Sequence, residues 1–230
     1  MDSSRSCARR APMWWRAVRV VDYVARATVS WRVGVALSWV LGALFVGMVV
    51  FLGVRGEGGG VDGVVARAWA VVAWVCGGIV AWWWAADGDL WQRRAGLADI
   101  VAAHGVAPVW LRVARPLVAG WRVGVVMAWG TLPVALATCA VSPTLAVALG
   151  RAVGLLVWAA YCVFAGQVLG WLSVACGWLS PKHGRLWLAA VVVLPWALQS
   201  ALMPQAGPWA SVPAVLGAIA RAVSKLGAGL

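Results

Sequence analysis

Cysteine and histidine are the residue types in this sequence most suited to metal binding or nucleophilic attack, and both are sparse. The five cysteines show no Cys-x-x-Cys spacing, and their odd number gives no disulfide framework, so we interpret them as small core residues. His104 and His183 are either haem or metal ligands or ordinary loop residues at helix ends. The second interpretation is favoured because no partner ligands cluster near either histidine in the sequence.

The sequence also lacks the motifs of several enzyme classes. It contains no Gly-x-Ser-x-Gly nucleophile elbow, no His-Glu-x-x-His zinc pair and no phosphate-binding loop ending in Gly-Lys-Ser or Gly-Lys-Thr. We therefore expect no catalytic residue, no metal site and no bound cofactor in this chain. A process driven by ATP would need the nucleotide to bind another polypeptide.

Three of the 19 tryptophans, Trp82, Trp83 and Trp84, stand together shortly before Asp87. Haem-handling membrane proteins carry a tryptophan-rich segment with an aspartate, but histidine ligands flank that segment, and none flanks this one. Tryptophan is also enriched at both membrane–water interfaces. Interfacial anchoring is therefore the favoured interpretation of the three tryptophans.

The composition of the 230-residue chain indicates which elements would position these residues. The chain is 63% hydrophobic and 11% charged, with a mean hydropathy of +0.87, whereas an average soluble domain is about a quarter charged. A soluble fold of this length would be unable to bury so much apolar surface. The sequence therefore predicts an integral membrane protein and excludes the soluble, disordered and disulfide-scaffold classes.

Long uncharged runs predict an all-α protein with six transmembrane helices in a single transmembrane domain, residues 1–230. A charge in the middle of a bilayer costs roughly 2.5–3.5 kcal/mol, so such runs are the clearest signal for crossings. The last run, residues 186–220, is too long for one crossing and must turn back near Pro204 and Pro208. The predicted crossings are residues 33–54, 64–86, 117–141, 152–177, 186–203 and 208–224.

The positions of the basic residues predict the orientation of these crossings. The chain has 19 Lys and Arg against 7 Asp and Glu, a formal net charge of +12. The basic residues collect before the first crossing, between the second and third, between the fourth and fifth, and near the end of the chain. Both termini are therefore expected in the cytoplasm, and the charge indicates topology rather than nucleic-acid binding. A cleaved signal peptide is not expected, because the basic leading segment is long and the first apolar run is of full spanning length.

Two further segments are predicted to form helices outside the crossings. Residues 13–32 are expected to be an amphipathic interfacial helix on the cytoplasmic leaflet. Its apolar stripe consists of Trp15, Val18, Val21, Ala25 and Val29, with Arg16, Arg19 and Arg26 elsewhere on its surface. The connection of residues 87–122 is too long for a simple turn and contains a helix-like segment at residues 90–105.

The residues of this connection resemble the loop after the second crossing of type-2 ABC exporter permeases. In that family a charged residue precedes a Gly-Thr/Ser-Leu-Glu motif, a helix-breaking pair follows, and a lysine opens the third crossing. Gly96 and Asp99 take the places of the glycine and the glutamate, while Leu97 and Ala98 replace the two residues between them. The residues at the family's marked positions are Arg93, Arg94, Gly96, Asp99, Gly105 and Arg115. Six crossings, cytoplasmic ends, an amphipathic leading helix and a proline-rich hairpin between the last two crossings are also similar to that family.

The resemblance implies a permease subunit of an ATP-binding cassette exporter in a bacterial cytoplasmic (inner) membrane. Such subunits form the substrate path as a homodimer or heterodimer, and two copies of a separate ATPase bind the ATP and Mg²⁺. Residues 90–105 would then be a coupling helix that docks on the ATPase through the six residues at the marked positions. From the charges alone, the alternative is a surface helix whose arginines bind anionic lipid headgroups. The cytochrome c maturation haem-exporter permease is a similar subfamily, with a basic-Gly segment and a Leu-Pro crossing like residues 182–184 and 194–195.

The few polar residues in the crossings are candidates for a substrate path, namely Arg122, Gln167 and Gln199. Arg122 and Arg151 either extend to the membrane interfaces or face a water-filled path that holds an anionic substrate. The otherwise apolar crossings favour a hydrophobic or amphipathic cargo such as a lipid, glycolipid, drug or haem. Gly-x-x-x-Gly spacings at 120–124, 150–154 and 166–170 allow close helix packing, without indicating which helices meet. A non-transport membrane scaffold and a membrane enzyme with no recognisable motif are the alternative functions.

Overall fold

The computed structural model describes residues 12–26, 29–54, 58–86, 107–140, 144–180 and 182–202, together with residues 96, 99, 103, 142, 218, 219 and 222. This part of the chain forms six helices and no strands, so the prediction of an all-α fold is confirmed for it. The helices are α1 (Met13–Arg26), α2 (Val29–Val54), α3 (Gly58–Ala86), α4 (Pro108–Ala140), α5 (Leu145–Leu179) and α6 (Gly184–Leu202).

Four of these helices are long and apolar enough to cross a membrane, as expected of a multi-pass membrane protein. The spans are Arg32–Phe51, Ala68–Ala85, Val109–Ala140 and Leu145–Leu179. In α6 the apolar stretch Gly184–Leu194 is shorter than these spans. Of the predicted crossing at residues 208–224, only residues 218, 219 and 222 lie within the described part of the chain, and all three are helical.

Several helices begin or end away from the bounds expected from the sequence. The amphipathic helix α1 ends at Arg26, and residues 29–32, which the apolar stripe had assigned to it, belong to α2. The exposed Arg32 is compatible with this boundary because a long basic side chain can keep its charge at the edge of an apolar helix. Helix α5 begins at Leu145, where Thr144 is the N-cap and its side chain accepts a hydrogen bond from the Val147 backbone N–H at 3.3 Å.

Helix α4 is the element that differs most from its expected extent. It begins at Pro108, whereas the third crossing was expected to begin at residue 117. Proline is favoured in the first turn of a helix because its fixed φ suits that position and no N–H is needed there. Pro116 and Pro133 lie inside the helix, and each removes the N–H that would bond to the carbonyl four residues earlier. The helix nevertheless continues through both prolines to Ala140 as one element of about 50 Å.

Helix α4 is also the centre of the bundle, because α1, α2, α3 and α5 all pack against it. Gly34 lies against Val126, and Gly42 lies against Gly130 further along both helices, so α2 and α4 run in the same direction. The close approach of Gly77 to Met127 places α3 on another side of α4.

The helices meet at two distinct ends of the bundle. We call the end at which α3 finishes and α4 begins the connection end, because residues 87–107 join those helices. Helix α6 also begins at this end, where Gly184 lies against the backbone of Ala85. We call the opposite end, where α4 turns into α5 at residues 141–144, the hairpin end. Helix α1 lies at the connection end, against the first half of α4.

Candidate functional site

An ion pair between Asp22 and Arg122 joins α1 to α4. The buried face of α1 consists of Ala17, Val21 and Ala25, which are at most 2% exposed. Asp22 follows at the edge of this face, and its Oδ1 accepts a hydrogen bond from Arg122 Nε at 2.8 Å and a second bond from Arg122 Nη2. A guanidinium that binds one carboxylate through two of its nitrogens fixes both position and orientation. The pair therefore fixes α1 on α4.

The Asp22–Arg122 pair stabilises the fold because the arginine is buried. Arg122 is 7% exposed, so most of its hydration is lost, and the carboxylate of Asp22 compensates the buried charge. The other carboxylate oxygen of Asp22 accepts a hydrogen bond from Arg26 Nε at 3.1 Å, one helical turn along α1. Asp22 thus forms ion pairs with two arginines, the buried Arg122 and the exposed Arg26.

Arg115 lies two helical turns before Arg122 on α4 and is 1% exposed. The sequence resemblance assigns this residue to a docking surface, but the structure places it inside the bundle. Arg112, one turn earlier on the same helix, is exposed.

Two of the expected docking residues, Gly96 and Asp99, lie in the described part of the connection. Gly96 has a φ of 58°, in the left-handed region that a residue with a β-carbon rarely adopts. The backbone N–H of Asp99 donates to the carbonyl of Gly96 at 3.0 Å, and Asp99 is helical and exposed. The connection therefore turns at Gly96 and enters helical geometry by Asp99. Arg93, Arg94 and Gly105 lie outside the described residues.

Helices α4 and α5 meet along a seam of four glycines, Gly120, Gly124, Gly166 and Gly170, which we call the glycine seam. A β-carbon added at Gly166 would overlap the backbone of Gly124, and one added at Gly170 would overlap that of Gly120. The two Gly-x-x-x-Gly spacings at 120–124 and 166–170 therefore pack on each other within one chain. Such backbone contact maximises van der Waals packing between helices in a membrane.

Two of the expected path residues, Arg122 and Gln167, have described side chains, and these lie on different sides of α4. Gln167 lies at the glycine seam, where its Nε2 donates to the Leu117 carbonyl at 3.4 Å. Its Oε1 is buried and has no hydrogen-bond partner among the described residues. Gly120 and Arg122 are two positions apart, so they face opposite sides of α4. Gln167, a residue of α5, therefore packs on the Gly120 side of α4, while Arg122 faces α1 on the other side. Gln199 lies in α6, and its side chain is outside the described part of the chain.

Arg151 binds the end of α4 at the hairpin end. Its Nη1 donates to the Thr138 carbonyl at 3.0 Å and to Ser142 Oγ at 2.8 Å, while the Ser142 hydroxyl donates to the same carbonyl at 2.8 Å. The last carbonyls of a helix have no partners within the helix, and the partial negative charge there favours a cation. In this structure Arg151 therefore provides a hydrogen-bond donor and a positive charge to the last turn of α4. Neither of the two interpretations drawn from the sequence included this contact.

The three consecutive tryptophans occupy different environments. Trp84 is 8% exposed and belongs to the core, whereas Trp82 and Trp83 line an apolar groove of 590 Å³ between α3, α5 and α6. The guanidinium of Arg185 lies 5.7 Å from the centre of the Trp83 ring, close enough for a cation–π contact. Two tryptophans elsewhere in the bundle, Trp69 and Trp158, stack on each other with their ring centres 5.7 Å apart.

The metal-ligand candidates do not cluster in the described part of the chain. His183 is exposed just before α6, and its backbone N–H donates to the Ser180 carbonyl at 3.1 Å, so it lies in the turn between α5 and α6. His104 is outside the described residues. Cys76, Cys139, Cys162 and Cys176 are free thiols, and the residues described contain no group of three His, Cys, Asp or Glu side chains placed to hold a metal ion.

No protein-family model matches this chain, and comparisons with curated proteins and with solved structures find no match.

Asp22 is the residue of this site that the sequence analysis missed. It is the only carboxylate among the residues of α1, and it directly follows the stripe residue Val21. A lone acidic residue at the border of an apolar stripe in a basic helix is a signal for an ion pair with a neighbouring helix.

Proposed function

We propose that this chain is the membrane-spanning permease subunit of an ATP-binding cassette exporter in a bacterial cytoplasmic membrane. It crosses six times with both termini in the cytoplasm and forms the substrate path as a homodimer or heterodimer. Two copies of a separate ATPase bind the ATP and Mg²⁺, and this chain holds neither cofactor nor catalytic residue. The cargo is hydrophobic or amphipathic, in the class of lipids, glycolipids, drugs and haem.

The distribution of basic side chains supports this orientation. Nine of the eleven basic residues described belong to the connection end, and two, Arg67 and Arg151, belong to the hairpin end. The nine are Arg16, Arg19, Arg26, Arg32, Arg112, Arg115, Arg122, Lys182 and Arg185. Positive charge in short loops is retained on the cytoplasmic side of a membrane. The connection end therefore faces the cytoplasm, where an ATPase subunit can reach the connection.

The continuity of α4 is the observation that carries the proposal. The helix begins directly after the connection and runs unbroken from Pro108 to Ala140. Its length of about 50 Å exceeds a hydrocarbon core of about 30 Å, so its first turns project out of the membrane at the connection end. A displacement of the connection would thus enter the membrane along one continuous helix.

The contacts of α4 then distribute this movement. The glycine seam joins α4 to α5 through direct backbone contact, so a shift of α4 moves α5 as well. The Asp22–Arg122 pair keeps α1 attached to α4 during the same movement. Packed helices move as rigid bodies with small shifts. In this proposal α1 and α5 therefore follow α4 when the connection moves.

The docking surface of the proposal lies on the connection. Asp99 is exposed and carries the charge that orients a partner, while Gly96 sets the turn that precedes it. Arg93, Arg94 and Gly105 complete this surface by the sequence resemblance. The resemblance also assigns Arg115 to this surface, and its side chain is 1% exposed within the bundle.

Co-purification from native membranes tests the proposal. The tagged chain should bring down a roughly stoichiometric Walker-motif ATPase. Joint replacement of Arg94, Gly96 and Asp99 by alanine should remove the ATPase, because it removes the orienting charges and the turn. Lys182→Ala, which deletes an exposed charge at the same end but outside the connection, is the matched control and should retain the ATPase.

Two results would contradict the proposal. An ATPase that remains bound to the triple variant would exclude the connection as the docking surface. Labelling of a single cysteine at position 99, in a cysteine-free background, by an impermeant reagent applied from outside the cell would exclude the orientation. Partners that bind with no ATPase among them would favour the scaffold function instead.

A further inference from the structure

A groove of 520 Å³ runs between α1 and the first half of α4. Its aromatic walls are Trp14 and Trp15 on α1 and Trp121 on α4, which are 46%, 40% and 52% exposed. The lining also includes Arg19, Asp22, Arg26 and Leu117. We propose that this groove is a binding site for one anionic phospholipid of the surrounding membrane.

The charges along the groove favour an anion. Asp22 is the one carboxylate in the lining, and it is engaged by both Arg26 and the buried Arg122. The three arginines Arg19, Arg26 and Arg122 therefore exceed the carboxylate by two positive charges. A phosphodiester brings one negative charge and several strong acceptor oxygens, for which guanidinium groups are well suited.

Arg19 is the residue that the geometry assigns to the phosphate. Its guanidinium carbon lies 5.6 Å from the centre of the Trp15 ring, a cation–π contact that places the charge at the groove before any ligand arrives. Among the described residues, Arg19 forms no ion pair with a carboxylate, unlike Arg26. Its hydrogen-bond donors are thus available to an anion.

The apolar half of the groove identifies the source of that anion. Leu117 and Trp121 lie on the exposed side of α4, a helix apolar enough to cross a membrane, and they continue the groove along it. An amphipathic helix such as α1, with arginines on one side and apolar residues on the other, lies at the level of the lipid headgroups. A ligand with a charged phosphate and apolar chains fills both halves, whereas a free phosphate would leave the tryptophan-lined half empty.

A lipid at this position would contact both α1 and α4 next to their ion pair. It would therefore strengthen the attachment of α1, and it would do so whether or not the protein is a transporter. The tryptophans of the groove, two on α1 and one on α4, would hold the glycerol region of the lipid.

The experiment measures lipid retention by native mass spectrometry of the purified full chain, with phosphatidylglycerol and phosphatidylcholine of identical acyl chains as probes. The wild-type protein should retain one phosphatidylglycerol per chain in preference to phosphatidylcholine. Arg19→Gln should weaken this binding roughly tenfold, because it removes one charge-assisted contact. Arg112→Gln removes an exposed arginine of α4 outside the groove and should leave the binding unchanged.

A second variant and a competitor keep the result interpretable. Trp121→Ala should weaken retention of phosphatidylglycerol while the helix content by circular dichroism stays that of the wild type. Free glycerol 3-phosphate, which has the anion without the chains, should not displace the lipid. Equal retention of both lipids, an unchanged affinity in Arg19→Gln, or displacement by glycerol 3-phosphate would each overturn the assignment.

Discussion

Asp22 and Arg122 stand 100 residues apart in the sequence, and their ion pair joins the amphipathic helix α1 to the central helix α4. The arginine is almost completely buried, while the aspartate remains partly exposed and also binds Arg26. Because a buried guanidinium needs a counter-charge, the position of α1 is determined by electrostatics as well as by its apolar face.

Removing the carboxylate should detach α1. We expect Asp22→Asn to destabilise the protein by about 3 kcal/mol, because a buried arginine loses its counter-charge. Replacing both partners, as in Asp22→Leu with Arg122→Met, should recover most of this loss, since two apolar side chains leave no buried charge. Thermal unfolding in detergent measures both effects, with Asp99→Asn as the exposed control. A double variant as unstable as Asp22→Asn would contradict this explanation.

The glycine seam should tolerate no side chain. Gly166→Ala and Gly170→Ala each place a methyl group into the backbone of α4 and should destabilise the protein by about 1–3 kcal/mol. Gly47 and Gly78 provide the matched controls, since a β-carbon at either position meets no atom within 4 Å. Alanine at the control positions should be neutral or stabilising, because alanine has the higher helix propensity. A similar loss of stability at all four positions would contradict the explanation that close backbone packing at the seam excludes a side chain.

Arg151 should stabilise the end of α4. Arg151→Ala removes the donor to the Thr138 carbonyl and to the Ser142 hydroxyl, and we expect a loss of about 1 kcal/mol. Amide hydrogen exchange should rise in the last turn of α4 and stay unchanged in its first half. Arg112→Ala, at an exposed position of the same helix, should leave exchange near residue 138 unaffected.

The left-handed backbone at Gly96 predicts an order of substitutions in the co-purification assay. Asparagine enters the left-handed region more readily than other residues with a β-carbon, whereas alanine there costs about 1 kcal/mol. ATPase recovery should therefore decrease in the order glycine, asparagine, alanine, valine. An order that follows side-chain size alone, with alanine above asparagine, would indicate steric exclusion by the partner instead.

The long helices could be predicted from the sequence because uncharged runs report directly on membrane insertion. The beginning of α4 could not, because Arg112, Arg115 and Pro116 are typical of a loop when each is read alone. In the folded chain, Arg115 is buried and Pro116 is accommodated within a continuous helix. Tertiary packing therefore overrides the local signal over these residues.

The contacts between helices could be predicted only in part. The Gly-x-x-x-Gly spacings at 120–124 and 166–170 are visible in the sequence, but the facing of one stripe onto the other depends on the antiparallel arrangement of α4 and α5. The partners of Arg122 and Arg151 lie on other helices or beyond a turn. When each apolar run is considered alone, these partners are not visible. Both arginines were therefore expected either at a membrane interface or in a substrate path.

The ion pair at Arg122 also has a consequence for how α4 would lie in a membrane. The length of α4 from Arg122 to its end at Ala140 is about 27 Å, close to the hydrocarbon thickness of about 30 Å. If α1 lies in the headgroup layer, as its amphipathic sequence predicts, the Asp22 carboxylate would limit how deeply α4 inserts into the bilayer. Any thinning or thickening of the membrane would then be met by tilting of α4 about this point rather than by vertical sliding.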